Sequence, residues 1–351
     1  MTTEARAPLH FPHETPPENG TAIRVAEGVF WARLPLPMRL DHVNIYLMDD
    51  RLHGGPGWTV IDTGFRGRTT RAALEAIEAQ VLDGAPIWRV IVTHHHPDHV
   101  GSAGWLLERH GAELWTTRTA YMLTRMLQLD HHETQPQANI DFYVQAGAPA
   151  ERLEAYRNAE PFNFSRTTDP LPIGYRRIRE GGTVQMAGRR WQVLTGEGHA
   201  AEHATFWSED DELVVTGDQV IPGISSNLGV HPNEPLADPV GDWLESCARF
   251  RDHARADQYA LPGHKLPFVG IPDRLRQLID NHRNALDRLR AHLKEPRRVA
   301  ECFTPVFGRE LDAAVFGMGL IEAQAHMNYL HLRGETAREK DAGGAWLYRM
   351  A

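Results

Sequence analysis

Short apolar runs closed by Gly, Pro or Asp recur along the first 268 residues. They predict strands at 28–35, 43–49, 57–62, 88–93, 112–116, 183–187, 190–195, 203–208, 212–216 and 258–261. Helical periodicity predicts helices over 67–82, 100–109 and 240–252. Strands alternating with helices in this way suit an α/β layered fold. Residues 117–182 are long for one connection and carry helical patterns of their own: Met122, Leu123, Met126 and Leu127 on one face, then Ile140, Tyr143 and Val144, then Leu153 and Tyr156. Inserts of this length tend to be lids or binding loops, so this one reads equally as a helical pair packed on the sheets and as the lining of a substrate pocket. The segment from Pro222 to Pro239, with Ser225-Ser226-Asn227, is a second candidate wall. Beyond residue 268 the pattern changes. Leu275, Leu278, Ile279, His282, Leu286, Leu289 and Leu293 keep helical spacing through 272–295. A short helix near 297–304, another near 313–333 and a hairpin from Gly334 to Tyr348 complete the chain. The division expected is a flexible N-terminal segment over 1–20, a main domain over 21–268 with its insert, and a helical appendage over 269–351.

Composition narrows the class. Hydrophobic residues at 42% and charged residues at 24% exclude a disordered or fibrous chain. No apolar stretch reaches the ~18 residues of a membrane span. Residues Met1 to Gly20 are polar and Pro-rich, unlike a signal peptide or an anchor. Cys247 and Cys302 are too few for a disulfide framework or a thiolate metal site, and the expected address is a reducing cytoplasm. A net charge of −9 argues against nucleic acid as the main partner. There is no G-x-x-x-x-G-K phosphate loop and no G-x-S-x-G elbow.

Against those two Cys stand 20 His, and they are not scattered. Residues 93–99 read Thr-His-His-His-Pro-Asp-His, between the strand-like 88–92 and a helix start at Val100. Crowded imidazoles and a carboxylate are poor structural material, because each needs desolvation and protonated rings repel one another. Coordination to a cation removes both objections. His94 and His96, two apart in an extended loop, can point the same way, while Asp98 and His99 turn toward the helix. One loop can therefore serve two metals. His95 falls out of phase and faces away; His131 and His132 read as solvated surface, and His42 as a candidate pocket residue.

The pattern His94-x-His96-x-Asp98-His99 after a strand resembles the signature loop of the metallo-β-lactamase superfamily. That resemblance covers roughly residues 20–268 and implies an αββα sandwich with a dinuclear site on one edge of its two sheets. It also implies three further ligands, each after a strand-like run: His199, Asp218 as the carboxylate between both metals, and His264. His94, His96 and His199 then form one set, and Asp98, His99 and His264 the other. Gly196 and Glu197 stand where the family usually has Pro, and Lys265 where a small residue is common. Val60-Ile61-Asp62-Thr63-Gly64 resembles the turn where the family places a structural Asp, so Asp62 and His203 are read as hydrogen-bonding partners of the ligands. The C-terminal helices and hairpin resemble a small winged-helix-like domain, for which dimer packing or a pocket wall is expected. Residues 271–351 hold 13 Lys and Arg against 11 Asp and Glu, not the basic stripe of a nucleic-acid reader.

Nitrogen and carboxylate donors without thiolate point to two Zn²⁺ per chain, with Fe or Mn as the alternatives. The implied function is a metal-dependent hydrolase, with Asp98 as the catalytic carboxylate and a small-molecule carbonyl substrate: a thioester, as in glyoxalase II-like enzymes, an ester or a lactone. The alternatives are a phosphodiesterase or endoribonuclease-like enzyme, a mononuclear iron sulfur dioxygenase, and a metal-stabilised binding protein. The sequence names no substrate-binding residue, and a homodimer stays open.

Overall fold

The computed structural model describes residues 9–351. Its first sheet has seven strands side by side in chain order: β1 (Ala22–Ala26), β2 (Val29–Pro35), β3 (His42–Asp49), β4 (Trp58–Ile61), β5 (Ile87–Val92), β6 (Glu113–Thr117) and β7 (Arg176–Ile178). A second sheet of six follows, again in chain order: β8 (Thr183–Met186), β9 (Arg189–Gly196), β10 (His203–Ser208), β11 (Leu213–Gly217), β12 (Tyr259–Pro262) and β13 (Phe268–Val269). The hairpin strands β14 (Thr336–Lys340) and β15 (Trp346–Met350) form a separate two-stranded sheet, and Tyr348 of β15 makes a further isolated bridge to Arg297. The helices are α1 (Arg68–Val81), α2 (Pro97–Val100), α3 (Ala103–His110), α4 (Arg118–Leu129), α5 (Gln137–Gln145), α6 (Ala150–Asn158), α7 (Pro239–His253), α8 (Ile271–His292), α9 (Phe303–Phe307) and α10 (Phe316–Leu332).

Side chains alternate across a strand, and here both faces of each central strand are covered. Trp31, Tyr46, Met48, Ile61 and Ile91 of the first sheet meet Trp191, Val193, Phe206, Val215 and Leu261 of the second. Their neighbours Leu34, Ile45, Val60 and Val90 point the other way, onto Leu74 and Ile77 of α1 and Leu106 of α3. On the far side, Leu194, Trp207, Val214 and Ala260 pack against Trp243 and Phe250 of α7 and Leu275 and Leu278 of α8. The layers are helix, sheet, sheet, helix. Double-sided burial explains why these strands read as continuous apolar runs.

Several expectations need correction. β1, β7 and β13 carry no apolar run long enough to read, and they are held by pairing with β2, β6 and β12. The helix expected over 100–109 is two helices, because α2 already begins at Pro97, a residue suited to a first helical turn. In α4 the buried face is Ala120, Tyr121 and Thr124; Met122 and Met126 are exposed, at 60% and 46%. Of the N-terminal segment expected to be flexible, residues 1–8 lie outside the described residues. From there the chain is tied down, with His10 exchanging backbone hydrogen bonds of 3.2 and 2.8 Å with Val269. One core joins the second sheet and α7 to Leu289 of α8, Val306 of α9, Leu320 and Leu330 of α10 and Tyr348 of β15.

Candidate metal centre

Five strand ends meet at one edge of the sandwich. β4 ends before Asp62, β5 before the His94–His99 loop, β9 before His199, β11 before Asp218 and β12 before His264. The parallel pairs β4–β5 and β11–β12 bring C-terminal ends to the same edge. Asp98 and His264, 166 positions apart in sequence, are thereby placed 3.4 Å from each other.

The donor atoms converge. His94 Nε2 and His199 Nε2 each lie 3.0 Å from His96 Nδ1. His264 Nε2 lies 3.4 Å and His99 Nε2 3.6 Å from Asp98 Oδ2. Between the two sets sits one atom. Asp218 Oδ2 is 3.4 Å from His199 Nε2, 3.4 Å from His99 Nε2 and 3.2 Å from His264 Nε2. A tetrahedral zinc with bonds of ~2.0–2.1 Å has donor–donor edges of about 3.3 Å, so spacings of 3.0–3.6 Å suit shared coordination. The donors also lack other work: His99 Nε2 and Asp218 Oδ1 are buried without a hydrogen-bond partner. Buried polar atoms are rarely left so. The residues fit a pair of divalent cations.

The far side of each ring is held. His99 Nδ1 pairs with Asp62 Oδ2 at 2.8 Å, His199 Nδ1 with the Asn227 carbonyl at 2.9 Å, and His264 Nδ1 with the His42 carbonyl at 2.7 Å. His94 Nδ1 lies 3.0 Å from Thr93 Oγ1, which in turn donates to Asp62 at 2.8 Å. With Nδ1–H donating outward, these four rings direct an Nε2 lone pair into the site.

Charge is partitioned across the cluster. Burial, reinforced by neighbouring rings, pushes His94 and His96 well below the ordinary imidazole range, which keeps their lone pairs free. Burial opposes charge on His99 and His264 too, but the Asp218 and Asp98 carboxylates outweigh it and raise both, His264 to about 10. The same attraction overrides desolvation at Asp218 and holds its carboxyl well below the usual range. In this field, protons and divalent cations compete for the same atoms.

The family model described as "Metallo-beta-lactamase superfamily" matches residues 38–291 of this chain. The chain belongs to the metallo-beta-lactamase superfamily. A second model, "Metallo-beta-lactamase-like, C-terminal domain", matches residues 286–351. The crystal structure of a beta-lactamase domain protein from Burkholderia ambifaria is 37% identical, with a TM-score of 0.89 over 98% of each chain. "Probable metallo-hydrolase YqjP" of Bacillus subtilis (strain 168) is 26% identical over 305 residues, which is 81% of this chain and 88% of that protein. "Hydroxyacylglutathione hydrolase" of Xylella fastidiosa (strain M23) is 27% identical over 146 residues, 42% of this chain and 37% of that one. This superfamily member is a metal-dependent hydrolase, and no helix among its described residues is long and apolar enough to cross a membrane.

All seven residues read as ligands lie within this one cluster of the superfamily fold. Asp62 lies behind it, at a backbone φ of 62° (tolerated by Asp), accepting from Thr93 N–H and Oγ1 and from His99. His203 lies behind it as well: its Nε2 accepts the Asp218 N–H at 3.1 Å and its ring stacks on His94 at 4.5 Å. His95 is outside the donor groups, and so are His131 and His132. His42 supports rather than lines the site, since its carbonyl holds His264 and its Nε2 accepts the Lys265 N–H. Cys247 and Cys302 are buried elsewhere in the core. The supporting roles of Thr93, Ser226, Asn227 and Gly263 escaped the sequence reading, which placed Ser226 and Asn227 only in a candidate wall. Thr93 was legible as a hydroxyl beside the loop. A backbone carbonyl such as that of Asn227 leaves no residue-type signal.

Proposed function

We propose that this chain is a dinuclear zinc hydrolase of carbonyl substrates: a thioester, an ester or a lactone. The observation that carries it is Asp218 Oδ2, within 3.4 Å of ring nitrogens from both donor sets. His94, His96 and His199 would hold one zinc and Asp98, His99 and His264 the other, with Asp218 common to both. Bound there, the zinc pair supplies a water acidified toward pKa ~7 and a Lewis acid for the substrate oxygen.

The chain's own groups do the rest. Asp98 is the most open of the carboxylates, its side chain 18% exposed against 7% for Asp218. At the mouth it would orient the attacking water. His264, between both carboxylates, keeps Asp98 in place. No Ser or Cys nucleophile is required, in keeping with two buried thiols. A carbonyl substrate is supported by the likeness to hydroxyacylglutathione hydrolase and by the net charge of −9, since a phosphodiester favours a basic mouth.

Metal analysis of the purified chain, followed by a panel of S-acyl glutathione, acyl lactone, nitrophenyl ester and bis-nitrophenyl phosphate, tests this reading. Two zinc per chain with turnover of a carbonyl substrate is expected. One iron with oxygen uptake, or turnover of the phosphodiester alone with steep loss in salt, overturns it.

A further inference from the structure

Three consecutive residues after β11, Ser225-Ser226-Asn227, connect the metal centre to the C-terminal helices. Two of their bonds run inward. Ser226 Oγ donates to the carbonyl of Asp218, and the carbonyl of Asn227 accepts from His199 Nδ1 at 2.9 Å. Two run outward. Asn227 Nδ2 donates to Glu322 Oε2 of α10 at 2.7 Å, and Ser225 Oγ lies 3.0 Å from His282 Nε2 of α8.

The outward side has a fixed direction. His326 Nδ1–H donates to the Glu322 carbonyl one turn earlier at 2.9 Å, so His326 Nε2 is an acceptor. His282 Nδ1, at 3.2 Å, is then the donor to it, which leaves His282 Nε2 to accept the Ser225 hydroxyl proton. Every step requires neutral rings. Burial holds both neutral, pushing His282 down to about 3 and His326 to about 4. A cavity of about 320 Å³ borders this strut at Gly223, Ile224 and Ser225, opposite Gln277 and Asn281 of α8, so solvent reaches one flank of it. On that side the outward bonds act together with Arg274 of α8, which donates to the carbonyls of Ile221 and Ile224 just before the strut.

We propose that Glu322 and His282 are positioning residues of the metal centre, acting through Ser225-Ser226-Asn227 on His199 and Asp218. This rests on reading His199 and Asp218 as metal ligands. Supporting groups behind metal ligands typically change affinity by about 10–100-fold when removed. Glu322→Gln keeps an oxygen that accepts from Asn227; Glu322→Ala does not.

The test is titration of the full-length, chelator-stripped chain with Co²⁺, read by its d–d absorption, alongside melting of the metal-free proteins. Glu322→Ala is expected to weaken Co²⁺ binding at least about tenfold and to change the spectrum, with Glu322→Gln within about threefold of the parent. His282→Ala is expected to follow Glu322→Ala. Metal-free melting of Glu322→Ala should match that of Glu322→Gln, which separates positioning from a damaged fold. Unchanged Co²⁺ affinity in Glu322→Ala, or a loss in Glu322→Gln equal to that in Glu322→Ala, overturns the proposal. His199→Ala tells the two readings apart. If it too binds Co²⁺ normally, the metal centre itself is misread; if it loses Co²⁺ while Glu322→Ala does not, only the positioning role falls.

Discussion

At Gly263 the absence of a side chain is what the metal centre requires. A Cβ there would lie 2.1 Å from Asp218 Oδ1 and 2.9 Å from His99 Cε1, both closer than atoms can approach. Gly196 does the same for Gln219, whose Cδ would lie 2.2 Å from an added Cβ, and this accounts for a glycine in the turn before His199. Gly263→Ala is therefore expected to displace Asp218 and lower zinc affinity by one to two orders of magnitude. The folded metal-free protein should remain, because the clash falls at the sheet edge and not in a core layer. Equilibrium dialysis against zinc and a thermal melt of the stripped protein check both parts. At this scale much of the centre was legible. His94, His96, Asp98 and His99 share one loop, and their crowding makes chemical sense only around a cation. His199, Asp218 and His264 are single residues after strands, readable through resemblance to a family. The roles of Asn227 and Gly263 were not legible, because one holds His199 through its backbone carbonyl and the other acts through empty space.

The helices α8 and α10 raise a question of element scale, since they bury His282 against His326 with ring centroids 5.3 Å apart. Burial pushes both below the ordinary imidazole value, so the unfolded chain binds more protons than the folded chain below pH ~6.5. Stability contributed by the neutral pair is therefore present above that pH and is lost as pH falls toward 4. Glu322, raised to about 7 by burial, acts in the opposite sense nearby. With metal removed, the urea midpoint of His282→Gln/His326→Gln should fall less between pH 6.5 and 4 than that of the parent. Parallel declines would remove the pair as the cause. The sequence showed α8 clearly because a 22-residue helix repeats its apolar stripe six times over. In α4 it located only part of the buried face: Leu127 packs partly buried on the core and Tyr121 is buried, while Met122 and Met126 stand in solvent. Apolar periodicity locates a helix more surely than it orients one.

Across the whole molecule, α8 shares with α7 the covering of the second sheet's outer face. Ile271, Leu275, Leu278, Ile279, Leu286 and Leu289 of α8 are all buried in the core that includes Trp207 and Trp243. Six such side chains, at ~1.5–3 kcal/mol each, contribute on the order of 10 kcal/mol, as much as the net stability of a typical domain. A chain ending at residue 268 is expected to aggregate and to show no cooperative melt. A sharp melt with bound zinc would show that the first 268 residues suffice. By itself the sequence determined the central strands and long helices, the layered class and the loop of crowded candidate ligands, because hydrophobic period and ligand crowding are local properties. Tertiary structure alone decided which strand ends meet at one edge, that one oxygen of Asp218 faces both donor sets, and that α8 and α10 brace the loop behind His199. Those are relations between residues far apart in sequence, and only the closing of two sheets and their helices on a common core sets the distances between them.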